Sequence, residues 1–264
     1  MHGDLTQMPS APHAIPASTI DDAEVARFSA IADEWWDERG KFAPLHRLNP
    51  TRIAYLRDRI IHHFAAETLA HGESATPLAN LSLIDIGCGG GLIAEPMARL
   101  GATVTGIDAS PTNINVADLH AKAGGVNVAY RATTAEQLAL EGAQFDVVLA
   151  LEIIEHVADI DLFYDAITAL VRPGGLIILS TLNRTAKSYA MGIIGAEYVL
   201  RWVPRGTHTW AKFVRPSEMA QALTRRGFAV ADTTGLVFSP RSWSFSLNPK
   251  DLDVNYLMAA TKPQ

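Results

Sequence analysis

An apolar run that ends in glycines, Leu83-Ile84-Asp85-Ile86-Gly87-Cys88-Gly89-Gly90-Gly91, restricts the folding of this 264-residue chain more than any other segment. Glycines admit positive φ and let a ligand lie against main-chain atoms with no Cβ in the way. The run reads as a strand and the residues after it as a helix, so the loop falls at the carboxyl edge of a sheet. Doubly wound folds bind nucleotides at that edge. Twenty-one positions after Gly87 a second apolar run closes on Asp108, an acid placed to accept both ribose hydroxyls of an adenosine. A dinucleotide fingerprint counted from Gly87 puts Leu92 at its third glycine, whereas counted from Gly89 it reaches Ala94, a permitted variant. Asp85 separates the ligands better. Its carboxylate would repel a pyrophosphate but suits the cationic amino-acid end of S-adenosylmethionine. Capping of the loop's backbone N–H groups is the alternative use of Asp85.

Short apolar runs alternating with helical ones extend the pattern. Strands are predicted at 81–86, 103–107, 127–130, 146–150 and 176–180, and helices at 92–100, 111–123, 160–170 and 216–226. Ser110-Pro111 supplies an N-cap with proline at the first helical position, and Pro173-Gly174-Gly175 a turn into the next strand. Such alternation implies right-handed crossovers and an α/β, doubly wound, mostly parallel sheet. Two further runs, 228–233 and 255–260, are expected to finish it as an antiparallel edge hairpin, for seven strands. Residues 1–21, without lysine or arginine, read as a disordered leader. Residues 22–264 read as a single domain. Its first part, 22–70, is helical, with Phe28, Ile31, Trp35 and Trp36 near a helical period and an interruption from Pro44 to Pro50.

Composition narrows the class. Apolar residues at 48% and charged residues at 19% support a packed core. A net charge of −6 lacks the basic stripe that nucleic acid needs, so no nucleic-acid partner is expected. The one cysteine, Cys88, permits no internal disulfide and points to a reducing, cytoplasmic setting. It sits where the loop needs a small residue, and no chemistry here calls for a thiol nucleophile. No apolar run approaches the roughly 20 residues of a membrane span.

Glu152, Glu155 and His156 follow the fourth strand. If a helix begins there, they share one face at i, i+3 and i+4, where two carboxylates and an imidazole could hold Mg²⁺. His156 could instead accept a proton as general base, or all three could merely offset a helix dipole. Residues 185–215 form an insertion whose segment 188–203 is unusually apolar, with Lys187, Arg201 and Arg205 around it. It suits a helical lid, either packed on the core or lying on a membrane surface through residues 187–203.

The words D-I-G-C-G-G-G, G-I-D, F-D-V-V-L-A-L-E and R-P-G-G-L resemble those of class I methyltransferases with a Rossmann-like fold. More narrowly, W-W-D (35–37), P-L-H-R-L-N-P-x-R (44–52), E-I-I-E-H-V (152–157), S-T-L-N-R (180–184), G-A-E-Y-V-L-R (195–201), V-P-R-G-T-H (203–208) and D-V-N-Y (253–256) resemble the ubiquinone-biosynthesis O-methyltransferases. That resemblance implies S-adenosylmethionine as cofactor, held by Arg52, Asp85, Gly87, Gly89, Asp108, Thr134 and Leu151. It also implies a Mg²⁺-type site at Glu152, Glu155 and His156. The implied substrate is a polyprenylated phenol or catechol, methylated at two ring hydroxyls. Peripheral contact with the inner membrane and association with other quinone-biosynthesis enzymes are expected to follow. The rival readings are a methyltransferase of another small phenol or lipid, a nicotinamide-dependent oxidoreductase, and a cofactor-binding assembly protein without catalysis.

Overall fold

The structure, a computed structural model, describes residues 18–65, 76–199 and 209–264, with the backbone alone at 195–199. Eight strands form one sheet: β1 Ser82–Ile86, β2 Thr103–Asp108, β3 Ala129–Ala132, β4 Phe145–Leu151, β5 Val171–Leu182, β6 Ala229–Ser239, β7 Ser244–Asn248 and β8 Asn255–Thr261. Their order is β3-β2-β1-β4-β5-β8-β6-β7. The first five pair in parallel, and β8 runs antiparallel to both β5 and β6. The chain reverses direction across the sheet between β1 and β4, which opens a crevice at their carboxyl ends.

The doubly wound α/β expectation holds, with two corrections to the far edge. The sheet has eight strands, not seven, because Ser244–Asn248 pairs antiparallel with β6. Four of its five residues face solvent, so it carries no apolar run to announce it. The expected edge hairpin is also opened out. The runs near 229 and 255 do pair, but β8 inserts between β5 and β6, and β7 takes the edge.

Both faces of the sheet are covered, which is why the central strands read as continuous apolar runs. On one face Ile84, Ile86, Val148 and Ile177 pack with Phe163 and Ile167 of α6 (Ile160–Ala169) and with Met219 and Leu223 of α7 (Pro216–Arg225). On the other, Leu83, Val147, Leu149 and Ile178 meet α2 (Ala43–His63) and α3 (Ala94–Arg99). The remaining helices are α1 Asp22–Ser29, α4 Pro111–Ala123 and α5 Ala135–Leu140.

The proposed break from Pro44 to Pro50 is absent, since α2 runs unbroken through both prolines. Pro44 lies in the first turn, where a missing N–H costs nothing, and Pro50 forfeits one backbone bond. Continuing the helix puts Leu48, Arg52, Tyr55, Leu56 and Ile60 on one buried stripe at spacings of three and four. By contrast, the first helix stops at Ser29, and Ala32, Trp35, Phe42 and Leu92 make a small cluster of their own.

Of the expected leader, residues 1–17 lie outside the described residues. The rest is tied down: Thr19 is buried, its N–H donates to Glu136 at 2.7 Å, and its carbonyl accepts from Ala158. In the insertion, a helical turn Ala186–Ser188, capped by Thr185, leads into a π-type helix Tyr189–Val199. Residues 200–208, with Arg201, Trp202 and Arg205, lie outside the described residues. Among the described residues no helix is long and apolar enough to cross a membrane.

Candidate cofactor and active site

Backbone geometry shapes the floor of the crevice. Gly87 and Gly89 adopt φ of +71° and +52°, in the left-handed region that side chains penalise. A Cβ built on Gly89 would stand 2.4 Å from Cζ2 of Trp35, so the loop is glycine for lack of room as well as for φ. The N–H groups of Gly87 and Cys88 donate to the Ile107 carbonyl, which ties the loop to the end of β2.

A pocket opens above this loop. Its walls include Gly87, Gly89, Asp108, Thr134, Leu151, Glu152 and His156 from the sequence reading. Asp108 accepts from Gly89 N at 3.1 Å, Ser110 N at 2.8 Å and Asn113 Nδ2 at 3.2 Å. Burial still pushes its carboxyl above the usual range. Thr134 caps α5, taking Gln137 N on its hydroxyl. Cys88 is buried against the loop and its thiol is pushed well up by that burial, which leaves it inert.

Arg52 and Asp85 stand apart from these, buried behind the loop. Asn49 takes one Arg52 nitrogen at 2.5 Å, while Arg52 Nε has no partner. Asp85 Oδ2 is likewise orphaned, and burial pushes the carboxyl up to about 7 although the Arg52 charge opposes that rise. Two orphaned polar atoms of opposite charge are costly to bury unless a ligand completes them. The amino-acid end of S-adenosylmethionine, a zwitterion, offers a carboxylate to one and an ammonium to the other. The residues present therefore fit that cofactor.

They do not fit Mg²⁺ in the same way. Glu152 has φ +54°, so the chain turns sharply after β4 and only a 3₁₀ turn, Ile154–His156, follows. The three side chains consequently share no helix face. Glu152 accepts from Ser180 Oγ at 2.6 Å and from Asn255 Nδ2 at 2.9 Å. Glu155 does not line the pocket; it is buried and accepts from Thr181 Oγ1 at 2.8 Å. His156 Nδ1 lies 3.0 Å from Glu24 Oε2 of α1. Among the described residues no group of three His, Cys, Asp or Glu side chains is placed to hold a metal ion.

The sequence reading missed the N-terminal half of the pocket. Thr19, Asp21, Glu24, Phe28 and Trp35 all line it, and Phe28 meets the His156 ring edge-on at 5.3 Å. Their one signal was the W-W-D word, read there as a helix face and as a mark of family.

A doubly wound sheet with a glycine loop after its first strand and an acid at the tip of the second is the frame of an S-adenosylmethionine-dependent methyltransferase. A family profile described as a methyltransferase domain matches residues 47–233. The fold is shared with a possible histamine N-methyltransferase from Thermotoga maritima (17% identity, TM-score 0.59, covering 90% of this chain and 99% of that one). It is shared as well with the SAH-bound magnesium protoporphyrin IX methyltransferase from Synechocystis PCC 6803 (18% identity, TM-score 0.54, covering 89% and 99%). The ubiquinone biosynthesis O-methyltransferase of Chelativorans sp. (strain BNC1) is 53% identical over 248 residues, 93% of this chain and 95% of its own length. The chain belongs to the ubiquinone biosynthesis O-methyltransferase family.

Proposed function

We propose that this enzyme transfers the methyl group of S-adenosylmethionine to a ring hydroxyl of a polyprenylated phenol, with His156 as the base. The observation that carries the reading is that His156 and Glu152 line the same pocket as Leu151, Gly87 and Asp108. When bound, the cofactor supplies an electrophilic methyl group on a sulfonium. In this reading Asp108 holds the ribose, Thr134 and Leu151 flank the cofactor, and Arg52 and Asp85 complete its zwitterion. The acceptor needs help, because a phenol of ordinary pKa, about 10, is mostly protonated at neutral pH. His156 removes that proton, while Glu24 at Nδ1 fixes the ring. Glu152, pinned by Ser180 and Asn255, lines the acceptor side. Glu155 lies beneath them, its carboxyl pushed above the ordinary range by burial, a rise that the nearby imidazole opposes.

A prenyl tail places the substrate in a bilayer, and the insertion offers Tyr189 and Ile194, 47% and 46% exposed, for such contact. The test uses purified enzyme with long-tailed and short-tailed catechols in vesicles, following S-adenosylhomocysteine release. Release with the long-tailed catechol, and vesicle co-sedimentation lost on deleting residues 187–203, is the expected result. Cofactor binding without release from either catechol would defeat the proposal.

Cofactor affinity should depend on pH through Asp85. A carboxyl raised to about 7 is largely protonated at pH 5.5, and a cation beside it favours the ionised form. Binding therefore releases a proton, and affinity rises by roughly tenfold from pH 5.5 to 7.5 before flattening. Calorimetry in buffers of different ionisation enthalpy measures that release. It should vanish in Asp85→Asn, and a wild-type affinity flat across this range would remove Asp85 from the cofactor's ammonium.

A further inference from the structure

We infer that Trp35, on the segment between α1 and α2, is a positioning residue for the cofactor's ribose acid, acting on Asp108 through Asn113. This rests on the reading above that Asp108 holds the ribose. The geometry is a relay of two hydrogen bonds. Trp35 Nε1 donates to Asn113 Oδ1 at 3.1 Å, and Asn113 Nδ2 donates to Asp108 Oδ1 at 3.2 Å. An amide can serve both partners only in one orientation, so the indole N–H and the carboxylate together fix Asn113 with its NH2 end on the acid. Without the indole N–H, Oδ1 loses its donor, and the amide is held toward the acid by a single hydrogen bond instead of from both ends.

The acid is then locked in rotation. A carboxylate offers about four acceptor positions. Ser110 N and Asn113 Nδ2 fill those of Oδ1, and Gly89 N takes one on Oδ2. The acceptor capacity left for a hydroxyl is on Oδ2, at the pocket. Trp35 is itself held hard: it is buried, stacks on Phe42 at 3.7 Å and 9°, and lies against Gly89 and Gly90. Neighbouring contacts bind the same segment to the same elements. Trp36 Nε1 donates to Gly90 O at 2.9 Å and its ring stacks on His120 at 3.4 Å, while Ser29 and Ser110 share a 2.6 Å hydroxyl contact. The segment from Ser29 to Trp36 thus seats on the cofactor loop and orients its acid at once.

A double-mutant cycle tests this, with S-adenosylhomocysteine affinity read by calorimetry. Trp35→Phe keeps an aromatic ring and removes the N–H; Asn113→Ala removes the relay. Each should weaken binding by about five- to tenfold, the worth of one oriented hydrogen bond. The double variant should be no weaker than Asn113→Ala beyond the packing loss common to both backgrounds. The loss should fall on the affinities of S-adenosylhomocysteine and S-adenosylmethionine together, with the melting temperature of the cofactor-free variants close to wild type, a split that a general loss of structure would not give. Should Trp35→Phe fail to fold, Asn113→Asp carries the test. It keeps the acceptor for Trp35 but faces Asp108 with an acceptor, and it should lose more affinity than Asn113→Ala. Additive losses in the cycle, or unchanged affinity in Trp35→Phe or Asn113→Asp, would overturn the inference. Asp108→Ala separates the two levels. If it binds like wild type, the ribose reading itself fails; if it loses binding while the relay variants do not, the relay alone fails.

Discussion

Replacing His156 by glutamine is expected to slow methyl transfer by about a hundredfold or more, the usual worth of a positioned general base. The loss should fall on turnover, with cofactor affinity close to wild type, because the imidazole lines the acceptor side of the pocket. Wild-type turnover should also carry a pH limb that the variant lacks. Burial disfavours the charged imidazolium, yet the hydrogen bond to Glu24 and the fields of Glu155, Glu24 and Glu152 outweigh it, so the His156 pKa lies above its ordinary value. A base must be neutral to act, so the rate should climb as pH rises through that elevated pKa and then level off. Stopped assays across that range measure both effects. Turnover in His156→Gln within about threefold of wild type would be too small for a base and would end that assignment.

The second large effect is expected at Gly89. Alanine there meets two separate penalties. At φ +52° an L side chain costs about 1 kcal/mol, and the Cβ would lie 2.4 Å from a tryptophan ring that Phe42 prevents from retreating. Overpacking of that kind costs about 1–3 kcal/mol more, so Gly89→Ala should melt roughly 10 °C below wild type. Adding Trp35→Leu should restore part of the loss, since space returns while φ remains unfavourable. Calorimetric melting of the three proteins decides it. A single alanine variant that melts with the wild type would mean the indole is not lodged against the loop as described.

What could be read from the residues was whatever depends on near neighbours. The glycine loop, the capped start of α4 at Ser110-Pro111 and the acid at Asp108 are all set within one strand–turn–helix unit, so spacing carries their meaning. Contacts that close across distance left no such trace. Glu24 reaches His156 over 132 positions and Trp35 reaches Asn113 over 78. No periodicity links those pairs. The helix face expected for Glu152, Glu155 and His156 is absent for a local reason of another sort. One left-handed residue, Glu152, turns the chain before a helix can form, and glutamate does not advertise that conformation as glycine would. Likewise β7 is mostly solvated and lacks the apolar run by which the other strands were found.

The position of β8 also bears on how the protein is made. It joins β5 to β6 in the sheet, yet it follows both of them in the chain. Until residues 255–261 emerge, the outer edge of β5 has no neighbour to cap its ladder, and the β6–β7 ribbon has nothing to attach to. An open, apolar strand edge invites pairing with other chains. Completion of the sheet therefore waits for residues 255–261, and from the emergence of β5 until then the nascent chain carries a sticky margin.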